Sequence, residues 1–348
     1  MEHQLFIDIA KMSKPSLKIK TNSNFSDSIV EWYKIYGRHD LPWRNSVTPY
    51  KVWISEIMLQ QTQVKTAIPY FKKFVRKFPT LRSLKNASED EILSLWSGLG
   101  FYKRARNIFA AKEIIFDQFN GKFPTTFEKI IKLPGIGRST AGAILSIAFN
   151  NGTPILDGNV KRIIVRHFDL PEDTKDKELW NYSEIMLSKN DPFIYTQGIM
   201  DVGAMICRPI DVSCNDCPVS STCLQAFKPK IKLRNNVKAV KPVIEMNLLL
   251  CRHDNELLLK KIDDQEIWRG LWIPLEKSVI SKKIITNKTK LTKIEHHLTH
   301  RFLKINLYET HVKCKFKLRS NEESKWIHIK KIKKFAIPAP IRAYLENG

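Results

Sequence analysis

The sequence contains no apolar run that approaches the roughly 20 residues needed for a helix to cross a bilayer. Its first 24 residues have no apolar core segment and no cleavage-type site, so no secretory signal is predicted. No internal repeat and no low-complexity tract is present. These absences predict a protein without a membrane partner, in a reducing cytoplasmic compartment where disulfide bonds are rare.

Acidic residues are also scarce relative to basic ones. The 348 residues include 58 lysines and arginines but only 35 aspartates and glutamates, which gives a formal net charge of +23. So large an excess indicates a polyanionic partner, and nucleic acid is the usual one. A solvated surface encoded by an AT-rich genome would produce a similar excess, so charge alone leaves both interpretations open.

The length and the hydrophobic pattern predict two domains. Apolar residues recur at intervals of three and four over residues 25–227, which predicts an all-α domain. Residues 228–242 are basic and poor in periodicity, and we interpret them as a linker. Residues 243–348 contain strand-like alternation and a final helix, which predicts an α+β domain. Residues 1–24 are polar and contain lysines, and we interpret them as a flexible basic arm. A mitochondrial presequence is disfavoured, because acidic residues are present and arginine is absent.

Four of the six cysteines lie within seventeen residues, at Cys207, Cys214, Cys217 and Cys223. This C-x6-C-x2-C-x5-C spacing is typical of metal ligands. Zinc sites usually combine two C-x2-C pairs separated by a longer loop, whereas an iron–sulfur cluster accepts four thiolates from one compact loop. The spacing therefore favours a cluster over zinc, and four unrelated buried thiols remain the alternative without a metal.

A turn of sequence LPGIG, at residues 133–137, separates two helical stretches. Gly135 and Gly137 allow the backbone to turn tightly. The N–H groups that open the next helix, around Ser139, can bind an anion such as a DNA phosphate. The same turn is also common as a plain connection between helices, so by itself it leaves phosphate binding undecided.

Two carboxylates are candidates for chemistry on a glycosidic bond. Glu56 lies in a helical run with almost no other charge, where burial would raise its pKa and make it a general acid. Alternatively, Glu56 lies at the edge of the apolar face, where its carboxylate would reach water or a lysine. Asp157 lies in an Asp-Gly-Asn sequence, which is also an ordinary turn. The presence of both carboxylates favours a catalytic role, because glycosidic cleavage needs one acid for the leaving group and one carboxylate facing a cationic sugar.

Several segments, in this order, resemble the MutY family of adenine DNA glycosylases, in the endonuclease III-like branch of the helix-hairpin-helix superfamily. They are LPWR at 41–44, SEIMLQQTQ at 55–63, GLGFYKRARN at 98–107, LPGIGRSTAGA at 133–143, ILDGNVKR at 155–162 and the cysteine quartet. The likeness covers nearly all of the chain from Phe25 onward. It implies an all-α helix-hairpin-helix glycosylase domain with an iron–sulfur cluster loop, followed by a Nudix-like α+β domain.

The resemblance implies a base excision repair enzyme, acting as a monomer on double-stranded DNA. Its substrate would be adenine mispaired with 8-oxoguanine, or with guanine, flipped out of the duplex. Glu56 would protonate N7 of the adenine, Asp157 would stabilise an oxocarbenium-like sugar, and Asn159 would orient the reacting centre. The four cysteines would hold a [4Fe–4S] cluster with a structural and DNA-docking role.

The resemblance also assigns residues to the DNA around the mispair. The DNA-binding hairpin would comprise Gly135, Gly137 and Ser139. The residues that line the adenine pocket or intercalate would be Trp43, Arg44, Leu59, Gln61 and Phe101. Phe101 stands where many members have tyrosine, so its ring can still stack but the hydroxyl is absent. In the C-terminal domain, Thr299 and His300 would recognise the lesion.

Two departures from related enzymes define the expected activity. At the hairpin position where endonuclease III-like enzymes have a lysine, this chain has Ser139, which cannot form a Schiff base. This predicts a monofunctional glycosylase. No REUxEE-type carboxylate cluster follows Gly270, so the Nudix-like domain is predicted to recognise 8-oxoguanine rather than to catalyse hydrolysis. An enzyme that removes oxidised pyrimidines and a non-enzymatic damage sensor are the competing hypotheses.

Overall fold

The computed structural model describes residues 23–228, 241–263, 267–279, 289–298, 301–318 and 323–347. Almost all of the predicted N-terminal arm and linker lies outside these residues. The described chain forms two compact units. The first combines the chain up to Arg38 with Asn150–Lys228, and the second combines His39–Phe149 with the chain after residue 228. The first unit is therefore built from two segments that are distant in sequence.

The part of the chain before the predicted linker is helical. Its helices are α1 (Ser23–Tyr36), α2 (Pro49–Leu59), α3 (Val64–Lys77), α4 (Leu81–Leu84), α5 (Glu89–Trp96), α6 (Lys103–Gln118), α7 (Phe127–Ile130), α8 (Arg138–Phe149), α9 (Gly158–His167), α10 (Asp176–Met186) and α11 (Pro192–Asp201). A π-helical turn at Val202–Ile206 follows α11, and short 3-10 turns lie at Cys214–Asp216 and Ser220–Thr222. The prediction of an all-α region is confirmed.

Local sequence explains where several helices begin. Thr48 caps α2, because its side chain accepts a hydrogen bond from the Lys51 amide at 3.2 Å, and Pro49 occupies the first helical position. Ser88 and Glu91 form a reciprocal capping box at the start of α5. Asp157 caps α9 by accepting hydrogen bonds from two backbone amides. These caps fix the ends of the helices next to the predicted site residues.

The C-terminal part of the second unit contains a mixed seven-stranded sheet. Its strands are β1 (Val243–His253), β2 (Glu256–Lys261), β3 (Trp272–Ile273), β4 (Leu275–Glu276), β5 (Thr289–His297), β6 (Phe302–His311) and β7 (Ser324–His328), and helix α12 (Ala339–Asn347) follows. The main strand order is β3-β2-β1-β6-β5, with β4 paired to β1 and β7 to β2. Strands β1 and β6 are parallel and the other pairs are antiparallel. The predicted α+β class is confirmed.

Within the second unit, the sheet-containing part contacts the helices through polar groups. The Ser97 hydroxyl donates to the Ile337 carbonyl at 2.7 Å and accepts from Nε of Arg342 at 3.1 Å. Nη1 of Arg106 donates to the carbonyl of Arg269 at 2.6 Å. Among the described residues, no helix is long and apolar enough to cross a membrane.

A buried ion pair joins the two segments of the first unit. The Asp201 side chain is fully buried and accepts from the backbone amide of Arg38 at 2.9 Å. Its other oxygen accepts from Nε and Nη2 of Arg38 at 2.9 and 2.5 Å. Because one carboxylate oxygen accepts two hydrogen bonds from the guanidinium and the other accepts one from an amide, the carboxylate has partners that offset its desolvation.

We predict that Asp201→Asn destabilises the first unit, because it leaves the Arg38 guanidinium partly buried without its counter-charge. The expected loss is about 3 kcal/mol of unfolding free energy, as for other broken buried pairs. Urea denaturation followed by circular dichroism would measure it. Glu31→Gln is the matched control, since Glu31 makes an exposed pair with Lys34 that should contribute less than about 1 kcal/mol. Equal losses in the two variants would contradict the assignment.

Candidate active site and DNA-binding loops

The carboxylate of Asp157 is anchored at the start of α9. Its Oδ1 accepts from the backbone amides of Asn159 at 3.0 Å and Val160 at 2.8 Å. Its Oδ2 lies 3.3 Å from Nδ2 of Asn159. Burial raises the pKa of Asp157, while the hydrogen bonds from Val160 and Asn159 and the charge of Arg162 act in the opposite direction. The carboxyl is thus oriented by the backbone and is sensitive to nearby charge.

Asn159 lies between Asp157 and an arginine of the same helix. Its Oδ1 accepts from Nη2 of Arg162 at 2.8 Å, so the amide orientation is defined by a donor on one side and an acceptor on the other. A Cβ at Gly203 would lie 2.5 Å from the Cβ of Asn159. Only glycine therefore allows the π-helical turn to approach Asn159 this closely.

Arg162 and Arg166, one helical turn apart on α9, connect this region to the first cysteine. Nε of Arg162 donates to the Cys207 carbonyl at 2.7 Å, and its Nη2 donates to the Gly203 carbonyl at 2.7 Å. Nη1 of Arg166 lies 3.4 Å from Sγ of Cys207 and donates to the Arg208 carbonyl at 2.7 Å. A continuous chain of hydrogen bonds therefore runs from Cys207 through Arg162 and Asn159 to Asp157.

The four predicted ligand cysteines are free thiols in a loop built from short turns. Cys207 is buried, and Cys214, Cys217 and Cys223 are half-buried. Burial raises the pKa of Cys217 to about 11, and repulsion from the other three cysteines adds to this shift. Among the described residues, no three histidine, cysteine or acidic side chains form a group that could hold one metal ion.

Backbone amides also surround the cysteine sulfurs. The amide of Val219 donates to Cys217, and the amides of Gln225 and Ala226 donate to Cys223. Hydrogen bonds to sulfur stabilise the thiolate form, which is the form that binds iron. Four thiols on one compact loop, with amide donors and an adjacent arginine, are the ligand type that a [4Fe–4S] cluster uses.

The hairpin turns tightly at Gly135. Gly135 has a φ of +81°, and a Cβ there would lie 2.7 Å from Nδ2 of Asn107. The Gly135 carbonyl accepts from Nε2 of Gln60 at 3.1 Å. Gly137 is exposed, and Ser139 is half-buried in the first turn of α8. The exposed turn and the start of the helix leave room for a phosphate to approach.

Glu56 lies in the second unit, in the middle of α2. Its side chain is half-buried, while the adjacent Ser55 and Ile57 are buried. Trp43 is 7% exposed and packs edge-to-face on Phe71, with ring centroids 5.4 Å apart. Trp43 is thus part of the core at this position, and its predicted contact with adenine stays a prediction.

The remaining pocket and wedge residues lie on loops. Arg44 is half-buried, and its amide donates to the Leu41 carbonyl at 2.8 Å. Leu59 is the half-buried last residue of α2. Gln61 and Phe101 are exposed, and both have left-handed backbone conformations, with φ of +55° and +50°. Non-glycine residues adopt this conformation rarely, and such strain is common at functional positions.

The two residues predicted to recognise the lesion, Thr299 and His300, lie outside the described residues. The two residues that flank them are joined by a hydrogen bond, which the Leu298 amide donates to the Arg301 carbonyl at 2.9 Å. This hydrogen bond lies at the connection between β5 and β6.

Sequence reasoning assigned no role to Arg104, Arg162 or Arg166. Arg162 ends the ILDGNVKR segment, and Arg166 lies four residues further along the same helix. Arg104 belongs to a quoted motif, but its contacts are with backbone carbonyls, which have no sequence signature.

Comparison with known proteins identifies both parts of the chain. Residues 54–186 match the family described as HhH-GPD superfamily base excision DNA repair protein, and residues 247–347 match the NUDIX domain. A solved thermostable thymine-DNA glycosylase is similar with a TM-score of 0.55 and 26% identity, over 60% of this chain and 97% of that chain. The predicted fold classes of the two domains are confirmed.

Further likeness is found to an endonuclease III–DNA complex and to adenine DNA glycosylases. The former has a TM-score of 0.51 at 22% identity over 59% of this chain and 96% of that chain, which shows similarity of fold. The adenine DNA glycosylase of Homo sapiens is 36% identical over 64% of this chain and 41% of that protein. That of Buchnera aphidicola subsp. Acyrthosiphon pisum (strain APS) is 41% identical over 93% of this chain and 97% of that protein. The chain therefore belongs to the adenine DNA glycosylase family, within the helix-hairpin-helix superfamily of base excision DNA repair proteins.

Proposed function

We propose that the protein is a monofunctional DNA glycosylase that excises adenine opposite 8-oxoguanine, and secondarily opposite guanine, and leaves an abasic site. The observation that carries this proposal is the carboxylate of Asp157, held by two backbone amides with Asn159 against it, in a chain of this family. A protein that only binds damaged DNA would use this carboxylate only to cap α9, whereas glycosidic cleavage also needs a carboxylate that faces the sugar. Residues 25–227 would carry the chemistry, and residues 243–348, joined by the linker 228–242, would recognise the lesion.

Asp157 would stabilise the sugar as the bond to adenine breaks. Once adenine is flipped out of the duplex, cleavage of the N-glycosidic bond gives the deoxyribose oxocarbenium character. Burial raises the pKa of Asp157, but a positive sugar nearby favours the ionised form again. The carboxylate would therefore be most strongly stabilised where the positive charge develops, which is the requirement for selective binding of the transition state.

Glu56 would act as the general acid. Protonation of adenine at N7 turns the base into a neutral leaving group, so that the electrons of the glycosidic bond can move to adenine without leaving a negative charge. The position of Glu56 on α2, where most neighbouring side chains are buried and apolar, supports this assignment. Water then adds to C1′ of the sugar and completes the hydrolysis.

Cys207, Cys214, Cys217 and Cys223 would hold a [4Fe–4S] cluster, which when bound supplies structural support to its loop rather than redox chemistry. The cysteine spacing and the amide donors support this proposal. The contact of Arg162 with both the Cys207 carbonyl and Asn159 means that order in the loop contributes to order at the reacting carboxylate.

The function is tested by measuring base release and strand scission separately on duplexes containing 8-oxoguanine:A, G:A or thymine glycol:A. We expect adenine release from the first two, fastest opposite 8-oxoguanine. Glu56→Gln should lower the rate at least about 100-fold, as for loss of a general acid, without loss of duplex binding. Glu31→Gln, an exposed exchange of the same kind, should have no effect. Release of thymine glycol, or full activity of Glu56→Gln, would contradict the proposal.

Ser139 should limit the enzyme to base removal. We expect nicking of the wild-type product only after alkali, and no covalent adduct on borohydride reduction, because a hydroxyl forms no imine. Ser139→Lys places an amine at the hairpin and should yield a reducible adduct. Rapid strand scission by the purified wild-type protein would show that another amine acts as nucleophile.

The cluster is tested by elemental analysis. We expect about four iron and four sulfide per chain, with iron lost in Cys217→Ser. Cys314→Ser is the matched control, because Cys314 is an exposed thiol outside the quartet and should leave the iron content unchanged. Stoichiometric zinc without iron in freshly purified protein would favour the zinc alternative.

A further inference from the structure

Arg104, in α6, is buried and contacts both loops that carry the predicted wedge residues. Its Nη1 donates to the carbonyls of Ile57, Met58 and Gln60, at 3.0, 2.7 and 2.6 Å. Its Nη2 donates to the Gly100 carbonyl at 3.2 Å. One planar guanidinium therefore links the end of α2 to the loop between α5 and α6.

The chemistry of the site requires arginine. Its four partners are backbone carbonyls that point to the guanidinium from two separate segments. The planar group presents donors in a fixed fork, whereas lysine has a single compact ammonium that cannot span the same positions. Burial lowers the pKa of Arg104 to about 10, so the group remains charged at neutral pH.

Two of these carbonyls immediately precede the strained residues. Gln60 is followed by Gln61, with a φ of +55°, and Gly100 is followed by Phe101, with a φ of +50°. A non-glycine residue is disfavoured in the left-handed region unless contacts with its surroundings hold the backbone in that conformation. Arg104 supplies that constraint at both positions.

The aromatic contacts of Arg104 restrain the second loop further. Its guanidinium carbon lies 5.3 Å from the ring centroid of Phe101 and 5.4 Å from that of Trp96. Nε1 of Trp96 also donates to the Gly100 carbonyl, at 3.1 Å. The Phe101 ring nevertheless remains 39% exposed, so it is restrained at its base and available to a partner at its outer edge.

We propose that Arg104 is a positioning residue for DNA distortion, which holds the Gln61 and Phe101 loops at one spacing so that both side chains enter the duplex together at the mispair. The inference rests on the proposed function, in which these residues wedge the DNA. Extrusion of a base requires the stack to be opened and the gap to be filled. Two loops fixed to one rigid group do this without further ordering of the protein on binding.

Lys112 provides the matched control. It lies on the same helix, is 2% exposed, and its Nζ donates to the carbonyls of Ala87 at 2.9 Å and Lys85 at 3.2 Å. Its ammonium also lies 4.4 Å from the ring centroid of Phe109. Lys112 is thus a second buried cation that binds carbonyls and an aromatic ring, in a segment without predicted DNA contacts.

The experiment compares the wild type with Arg104→Lys, Arg104→Met and Lys112→Met, as full-length proteins. Each is mixed at saturating concentration with an 8-oxoguanine:A duplex that carries 2-aminopurine next to the adenine. The fluorescence rise reports unstacking, and the single-turnover rate of adenine release and the thermal midpoint are measured in parallel. We expect both Arg104 variants to lose most of the fluorescence rise and at least about tenfold in rate, as small misplacements cost in catalysis.

Lys112→Met should lower the thermal midpoint but keep the fluorescence rise and the rate of the remaining folded protein. A normal rise and rate in folded Arg104→Lys would overturn the proposal. The proposal would also be overturned if Lys112→Met, at the same thermal midpoint as the Arg104 variants, lost as much of the fluorescence rise and of the rate. The fluorescence signal precedes base release, so a wild type that unstacks the duplex but releases no adenine would contradict the proposed function alone. A wild type that produces no rise would overturn the positioning role.

Discussion

Buried cations that donate hydrogen bonds to backbone carbonyls hold the irregular segments of this protein in place. The last carbonyls of a helix have no partner within the helix and must find one elsewhere. At the end of α2 they bind Arg104, and after α4 they bind Lys112. The carbonyls in turn hold each cation in position. The hydrogen bonds between them offset the free energy lost when the cation and the carbonyls are removed from water.

This arrangement changes the interpretation of the net charge of +23. A basic excess predicts a polyanion only to the extent that the charges are on the surface. Arg104, for example, is buried and bound to backbone carbonyls. Part of the excess is therefore structural, and the attraction to DNA comes from the exposed remainder and from the hairpin.

The parts of the site that were predictable from sequence are those defined by residue type and spacing. The cysteine quartet, the glycines of the hairpin and the Asp157 turn each have a local signature, and the structure shows the left-handed turn at Gly135 and the amide-bound carboxylate of Asp157. The role of Arg104 was not predictable, because it depends on which carbonyls the fold brings to it. For Trp43 the sequence did not distinguish two roles, because an aromatic residue in a motif is equally suited to line a pocket or to pack in the core.

The first unit is closed by residues far apart in the chain, since Arg38 and Asp201 are separated by 163 positions. During synthesis at about 5–20 residues per second, α1 would leave the ribosome roughly 8–30 seconds before α11. Throughout that interval the apolar face of α1, including Ile29 and Tyr33, would have no permanent partner. The second unit's helices are encoded in between, so α1 completes its packing only after α11 has been synthesised.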